Sequence, residues 1–129
     1  MLAAALLGGV CSIGAAGVRS RKGDNSTPQQ VFDGMRESFL PDKAKSVRAL
    51  YQFDLSGPNG GLWWIEVNDG KMKMGHGPVH NPGVIFRASD RDWVALSNGN
   101  LPGFWAYLSG RLKIRGDQQL ARKLDEMFR

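Results

Sequence analysis

The sequence predicts an α+β domain: a five-stranded, mostly antiparallel sheet covered on one face by helices. Three observations lead there. Five stretches alternate apolar and polar residues with a period of two, helical stripes open and close the run, and short Gly-, Pro- or Asn-rich turns separate the pieces. At 129 residues the chain is one domain in length, and its 42% hydrophobic and 22% charged residues suit a single buried core.

Residues 2–18, LAAALLGGVCSIGAAGV, carry no charge and are followed by Arg19, Arg21 and Lys22. A secretory signal wants a basic region first, yet only the terminal amine precedes Leu2. A lipoprotein signal wants a small residue before Cys11, where Val10 stands. A membrane span wants about 20 apolar residues, which puts this stretch at the short limit. A flexible or partly helical extension is the plainest reading, with anchor or signal as alternatives. The expected division is residues 1–23 as extension and 24–129 as folded domain.

The domain opens with Thr27, Pro28 and Gln30, a capping box with proline at the first helical position. Val31, Phe32, Met35 and Phe39 lie on one stripe of that helix, and Pro41 stops it. In SVRALYQFDLSG, Val47, Ala49, Tyr51, Phe53 and Leu55 share one face, with Arg48, Gln52 and Asp54 on the other. The GPNGG turn leads into LWWIEV, with Trp63, Ile65 and Val67 on one side. Asn68-Asp69-Gly70 is a tight-hairpin signal, and it returns the chain into KMKM, where Met72 and Met74 share a face. These three strands make an antiparallel meander with one apolar side. After the loop GHGPVHNPG, VIFRAS is a fourth strand with Val84, Phe86 and Ala88 inward. Ser89 and Asp92 form a second capping box, opening a helix that carries Trp93, Val94 and Leu96 and ends at Gly99.

The last thirty residues repeat the alternation of helix, strand and helix. Pro102 starts a short helix crowded by Phe104, Trp105, Tyr107 and Leu108, and Gly110 ends it. In RLKIR, Leu112 and Ile114 face inward and Arg111, Lys113 and Arg115 outward. Asp117 N-caps a final helix with Leu120, Leu124, Met127 and Phe128 at three- and four-residue spacing. A strand held between two apolar helices is expected to share one core with both.

The same region carries a motif. Ser89 to Asn100 reads SDRDWVALSNGN, Ala106 to Asp117 reads AYLSGRLKIRGD, and Leu120 to Leu124 reads LARKL. These runs resemble the sterol carrier protein type 2 (SCP-2) lipid-binding family across residues 28 to 128, the C-terminal half being the specific part. One local departure is that Pro102 falls one position earlier than the family's Asn-Pro and is followed by the bulky pair Phe104-Trp105. The resemblance implies a hydrophobic cavity or tunnel between sheet and helices. It also implies a non-catalytic module that holds fatty acyl, acyl-CoA or sterol-like lipids.

Catalytic equipment is scarce. His76 and His80 have a spacing that would suit a metal on a helix, but Gly77, Pro78 and Pro82 oppose a helix there and no third ligand stands nearby. Asp90 and Asp92 have the look of an acid/base pair and are equally explained as helix-start residues favoured by the dipole. GPNGG lacks the Lys-Ser/Thr of a phosphate loop, and no Gly-x-Ser-x-Gly elbow occurs. Cys11 is the single cysteine, which excludes an internal disulfide and a multi-cysteine metal site. No catalytic residue, metal or cofactor is therefore expected. The net charge is +5, of which residues outside 1–30 carry +3, a mild bias towards phospholipid surfaces or acyl-CoA phosphates. Aromatics are not interleaved with basic runs, so nucleic acid is not an expected partner.

On the family's pattern, the lining of the cavity is expected among the inward apolar residues Met35, Phe39, Trp63, Ile65, Met72, Met74, Phe86, Trp93, Leu96, Phe104, Trp105, Leu108, Leu112, Ile114, Leu120, Leu124, Met127 and Phe128. Such stripes are ordinarily core packing, and methionine is also what a site tolerant of varied lipid shapes would use. The final helix is apolar at Leu120, Leu124, Met127 and Phe128 and basic at Arg122, Lys123 and Arg129, which makes it the expected lid and the expected point of transient contact with an anionic membrane. The alternative reading is a membrane-associated accessory or assembly protein that presents lipid substrates to partner enzymes, or forms a homodimer through the same fold. The run Met127-Phe128-Arg129 is not a Ser-Lys-Leu-like peroxisomal signal, and a cytoplasmic location is expected.

Overall fold

Thr27 opens the first helix, α1 (Pro28–Ser38), with its hydroxyl accepting from the Gln30 backbone at 3.3 Å while the Gln30 side chain accepts in return from the Thr27 backbone. The capping box thus forms as expected. The computed structural model describes residues 25–128, so the readings of residues 1–23, Cys11 included, lie outside the described residues. Behind α1 comes a 3₁₀ turn at Pro41–Ala44, an element that the proline stop alone did not announce.

Three strands follow, β1 (Arg48–Ser56), β2 (Gly61–Asn68) and β3 (Lys71–His76), paired as the expected antiparallel meander. Asp69 and Gly70 take φ of 49° and 84°, the left-handed pair that a tight hairpin demands. Then come β4 (Val84–Ser89), α2 (Asp90–Ser97), α3 (Gly103–Leu108), β5 (Lys113–Gly116) and α4 (Gln118–Glu126). The sheet order is β3-β2-β1-β4-β5, with β1 and β4 parallel and every other pair antiparallel. The sheet is therefore mixed but mostly antiparallel, in an α+β arrangement.

Register turns the alternating patterns into apolar rows across one face. One row runs His76, Trp63, Phe53, Phe86, Ile114, and the next runs Met74, Ile65, Tyr51, Val84. α1 lays Val31, Phe32 and Met35 on that face, α2 adds Trp93 and Leu96, and α4 adds Ala121 and Leu124. Phe32 is completely buried at the centre. Its ring lies 5.0 Å from Trp63 and 5.5 Å from Trp93, both stacked, and 5.2 Å edge-on from Phe53. α4 is tied down at both ends. The Tyr51 hydroxyl donates to the Leu120 carbonyl at 2.8 Å, and the Leu40 N–H donates to the Met127 carbonyl at 2.7 Å beside a Phe39–Phe128 bridge.

Four local expectations need correction. Pro102 is the N-cap of α3 rather than its first residue, and β5 begins at Lys113 because Leu112 is held in the preceding turn by its N–H bond to the Ala106 carbonyl at 2.9 Å. The second capping box forms only in its forward half, with Ser89 Oγ accepting from Asp92 N at 3.0 Å. An Asp side chain is one methylene shorter than the Glu that closes such a box. The largest correction concerns α3, which does not bury its aromatics. Gly103 and Ala106, three residues apart and on one helical face, are the buried pair. Phe104 (64% exposed), Trp105 (61%), Leu108 (57%) and Tyr107 (49%) point away from the core. A six-residue helix can put only one face inward, and the face with the smallest side chains lets it lie close.

Replacing Phe32 by Ala is expected to lower unfolding free energy by about 3–5 kcal/mol, since it leaves a cavity between the rings of Phe53, Trp63 and Trp93. Urea denaturation at neutral pH measures it.

Candidate functional site

The residues expected to line a lipid site divide into three groups in space. Trp63, Phe86 and Trp93 belong to the packed aromatic cluster, where Phe53 also contacts Phe86 and Trp93, each at 5.2 Å. The Trp63 indole N–H donates to Gln29 Oε1 at 3.3 Å, whereas the buried Nε1 of Trp93 has no hydrogen-bond partner among the described residues. Met35, Ile65, Leu96, Leu112, Leu124, Met127 and Phe128 are buried in the same core, and Phe39, Met72, Met74, Ile114 and Leu120 pack against it half-buried. Phe104, Trp105 and Leu108 do not join it and stand exposed on α3. Phe32, Tyr51 and Phe53 sit at the heart of this apolar interior although they were not assigned to the lining. Their place on the inward stripes was the signal for them.

Polar groups around this interior hold structure together. Asp90 is buried, with Oδ2 accepting from Asn59 N and Oδ1 from Arg91 N, both at 2.8 Å. Gly57, at φ of 102°, brings its backbone so close to that carboxylate that a Cβ would collide with it. Asp90 therefore clamps the β1–β2 turn to the start of α2, and its oxygens are committed to backbone donors. His76 stands exposed at the end of β3 with its ring 5.3 Å from Trp63, and His80 is exposed in the following loop. Among the described residues no group of three His, Cys, Asp or Glu side chains could hold a metal ion.

Two titratable groups are displaced from their ordinary range. Burial, and then the nearby Asp117 carboxylate, hold the Tyr51 phenol well above the usual value. Burial pushes the Asp125 carboxyl of α4 up to about 8. Surface clefts among the described residues include the following two. The larger, of about 540 Å³, is lined by Asp54, Ser56, Arg87, Asp92, Arg111 and Lys113 among others, and Arg87 Nε pairs with Asp54 at 3.3 Å across it. The smaller, of about 220 Å³, lies between Asn59, Asp90, Arg91 and Asn98. Neither is lined by a residue expected to hold lipid.

The sequence model of the SCP-2 sterol transfer family matches residues 29–129. Bos taurus hydroxysteroid dehydrogenase-like protein 2 is 33% identical over 108 residues, covering 83% of this chain and 26% of the relative. The chain thus spans about a quarter of the length of such relatives. The solution structure of the sterol carrier protein domain 2 of Helicoverpa armigera matches with a TM-score of 0.61 and 32% identity, covering 81% of this chain and 91% of that one. The palmitated SCP2L2 of Aedes aegypti matches in fold with a TM-score of 0.57 and 24% identity, over 67% of this chain and 77% of that one.

Tyr51→Phe is expected to lower stability by about 1 kcal/mol, the net value of one such bond. It also changes the alkaline limb. The unfolded phenol titrates near 10 while the folded one holds its proton to higher pH, so stability present below about pH 10 is lost as pH rises further. Urea titrations from neutral pH upwards should show that loss in the wild type and a flatter profile in Tyr51→Phe.

Proposed function

The chain belongs to the SCP-2 sterol transfer family, and on that premise we propose that it is a non-catalytic carrier that takes fatty acyl, acyl-CoA or sterol-like lipids between its sheet and helices. The observation that carries this best is the placement of four methionines. Met35 and Met127 are buried, while Met72 and Met74 lie half-buried on the edge strand β3, facing the same interior. Unbranched side chains at the border of a core repack around a guest at low cost. The palmitated Aedes aegypti protein of the same fold supports the choice of ligand class.

The energetics need no reacting group. Each buried CH₂ contributes about 0.8 kcal/mol, so a 16-carbon chain gains roughly 12 kcal/mol gross. Association costs several kcal/mol or more, and a bilayer offers the lipid nearly the same burial. What such a carrier needs is a dry slot and a part that moves. In this reading α4 is the moving part, and it opens by breaking the Tyr51–Leu120 and Leu40–Met127 bonds that hold its two ends. The unpaired Trp93 N–H is a donor for an oxygen of the bound lipid. A cytoplasmic location is part of the proposal, with cell fractionation as its check.

A second reading keeps the lipid and changes the purpose. The relatives are about four times longer than the matched stretch and are named as dehydrogenase-like proteins. That length favours a module presenting lipids to an enzymatic partner, or pairing with a second copy.

Native mass spectrometry of the gently purified protein, followed by lipid extraction, tests the carrier reading. A co-purifying lipid of defined mass is expected. After delipidation, a fluorescent acyl or sterol probe should titrate saturably, and Met74→Trp, which adds bulk at a half-buried position, should weaken that uptake about tenfold. A folded protein that takes up no probe of either kind would end the carrier reading. Turnover of an acyl or sterol substrate that is lost in Asp92→Asn would end its non-catalytic part.

A further inference from the structure

α3 leaves its four largest side chains in solvent, and Phe104 and Trp105 touch only edge-on, with ring centres 6.0 Å apart. A contiguous apolar patch of this kind marks a contact surface rather than ordinary surface chemistry. The residue types say what it contacts. Trp and Tyr favour the boundary between headgroups and hydrocarbon, while Phe and Leu favour its apolar side. Cations stand directly beyond. Gly110, at φ of 84°, turns the chain at the end of α3, and Arg111, Lys113 and Arg115 follow, all exposed. Arg111 and Lys113 form part of the wall of the 540 Å³ cleft. The carboxylates facing them there are Asp54 and Asp92, and Asp54 is already engaged by Arg87.

We infer that α3 and its Arg111–Lys113 rim form the surface by which this chain docks on an anionic phospholipid bilayer. Phe104, Trp105 and Leu108 enter the boundary between headgroups and acyl chains, and the guanidinium and ammonium groups meet lipid phosphates. This moves the membrane contact from α4, where the basic residues of the final helix had suggested it, to a helix whose apolar face is already turned outward. It deepens the carrier reading, on which it rests for its purpose, by naming the surface that meets the source of lipid.

Vesicle flotation of the full-length chain tests it. The wild type is expected to float with phosphatidylcholine vesicles containing about 30% phosphatidylserine, and much less with phosphatidylcholine alone. Phe104→Ser with Trp105→Ser should lower the partition at least about tenfold. Arg111→Glu with Lys113→Glu should lower it by roughly fivefold or more per charge on anionic vesicles alone. Tryptophan emission should shift to the blue on vesicle addition in the wild type and not in Trp105→Phe. All these positions are exposed, and unchanged thermal unfolding verifies the fold of each variant. Wild-type flotation by the Phe104/Trp105 double variant overturns the inference by placing the contact elsewhere, in residues 1–24 or on α4. A blue shift of Trp105 that follows protein concentration without vesicles overturns it in favour of a second copy. Probe uptake by the wild type from vesicle-free solution reports separately on the carrier reading. Uptake without docking removes this inference alone, and docking without uptake removes that reading alone.

Discussion

Three aromatic rings meeting on Phe32 are the constraint on which the other packing in this domain depends. Stacked and edge-on contacts at about 5 Å tolerate little sliding, so α1 has one seat on the sheet. The capping box makes that seat reachable by starting the helix at Pro28. Once Phe32 lies over Phe53 and Trp63, the far end of α1 delivers Phe39 and Leu40 to the end of α4, where Met127 and Phe128 receive them. A second tie runs from Tyr51 on the central strand to Leu120, at the opposite end of α4. The interior is consequently stiff where rings meet and softer where methionine and leucine side chains face β3 and α4.

Most of the fold was legible in local chemistry. Alternation placed Tyr51, Phe53, Trp63, Ile65 and Phe86 on the inward face, and each is buried. Turn and cap residues were equally direct, as Asp69-Gly70 and Asp117 show. The direction of β4 beside β1 was not legible, because Val84, Phe86 and Ala88 face inward whether the strand runs up or down. α3 misled for a different reason. Four large apolar residues in six suggest a buried helix, and only the positions of Gly103 and Ala106 reveal which face is inside. Hydropathy counts residues, whereas packing depends on which side of the cylinder they occupy.

The site was harder to read than the fold. Residues that line a lipid slot and residues that fill a core are the same types in the same periodicities, so a stripe such as Val31, Phe32, Met35 cannot announce which role it plays. Their surroundings differ all the same: Trp63, Phe86 and Trp93 are engaged with one another through Phe32 and Phe53, while Met72, Met74 and Leu120 are half-buried at the border of the core. Asp90 gave the opposite lesson. A buried carboxylate near a helix start resembles an acid awaiting a substrate until its two oxygens are seen holding Asn59 and Arg91 backbone.

The parallel β1–β4 pair has a consequence for the order in which the domain assembles. β1 meets β2 across a turn of residues 57–60, but its other edge waits for β4, with Tyr51 pairing to Val84 far along the chain. Until then the central strand of the finished sheet is an edge strand, with open hydrogen-bonding groups and Phe53 lacking the ring of Phe86. Loop closure of that length sets the pace of folding more than it sets final stability. β4 is thus the strand that covers the second edge of β1, and without it that edge is open to pairing with another chain.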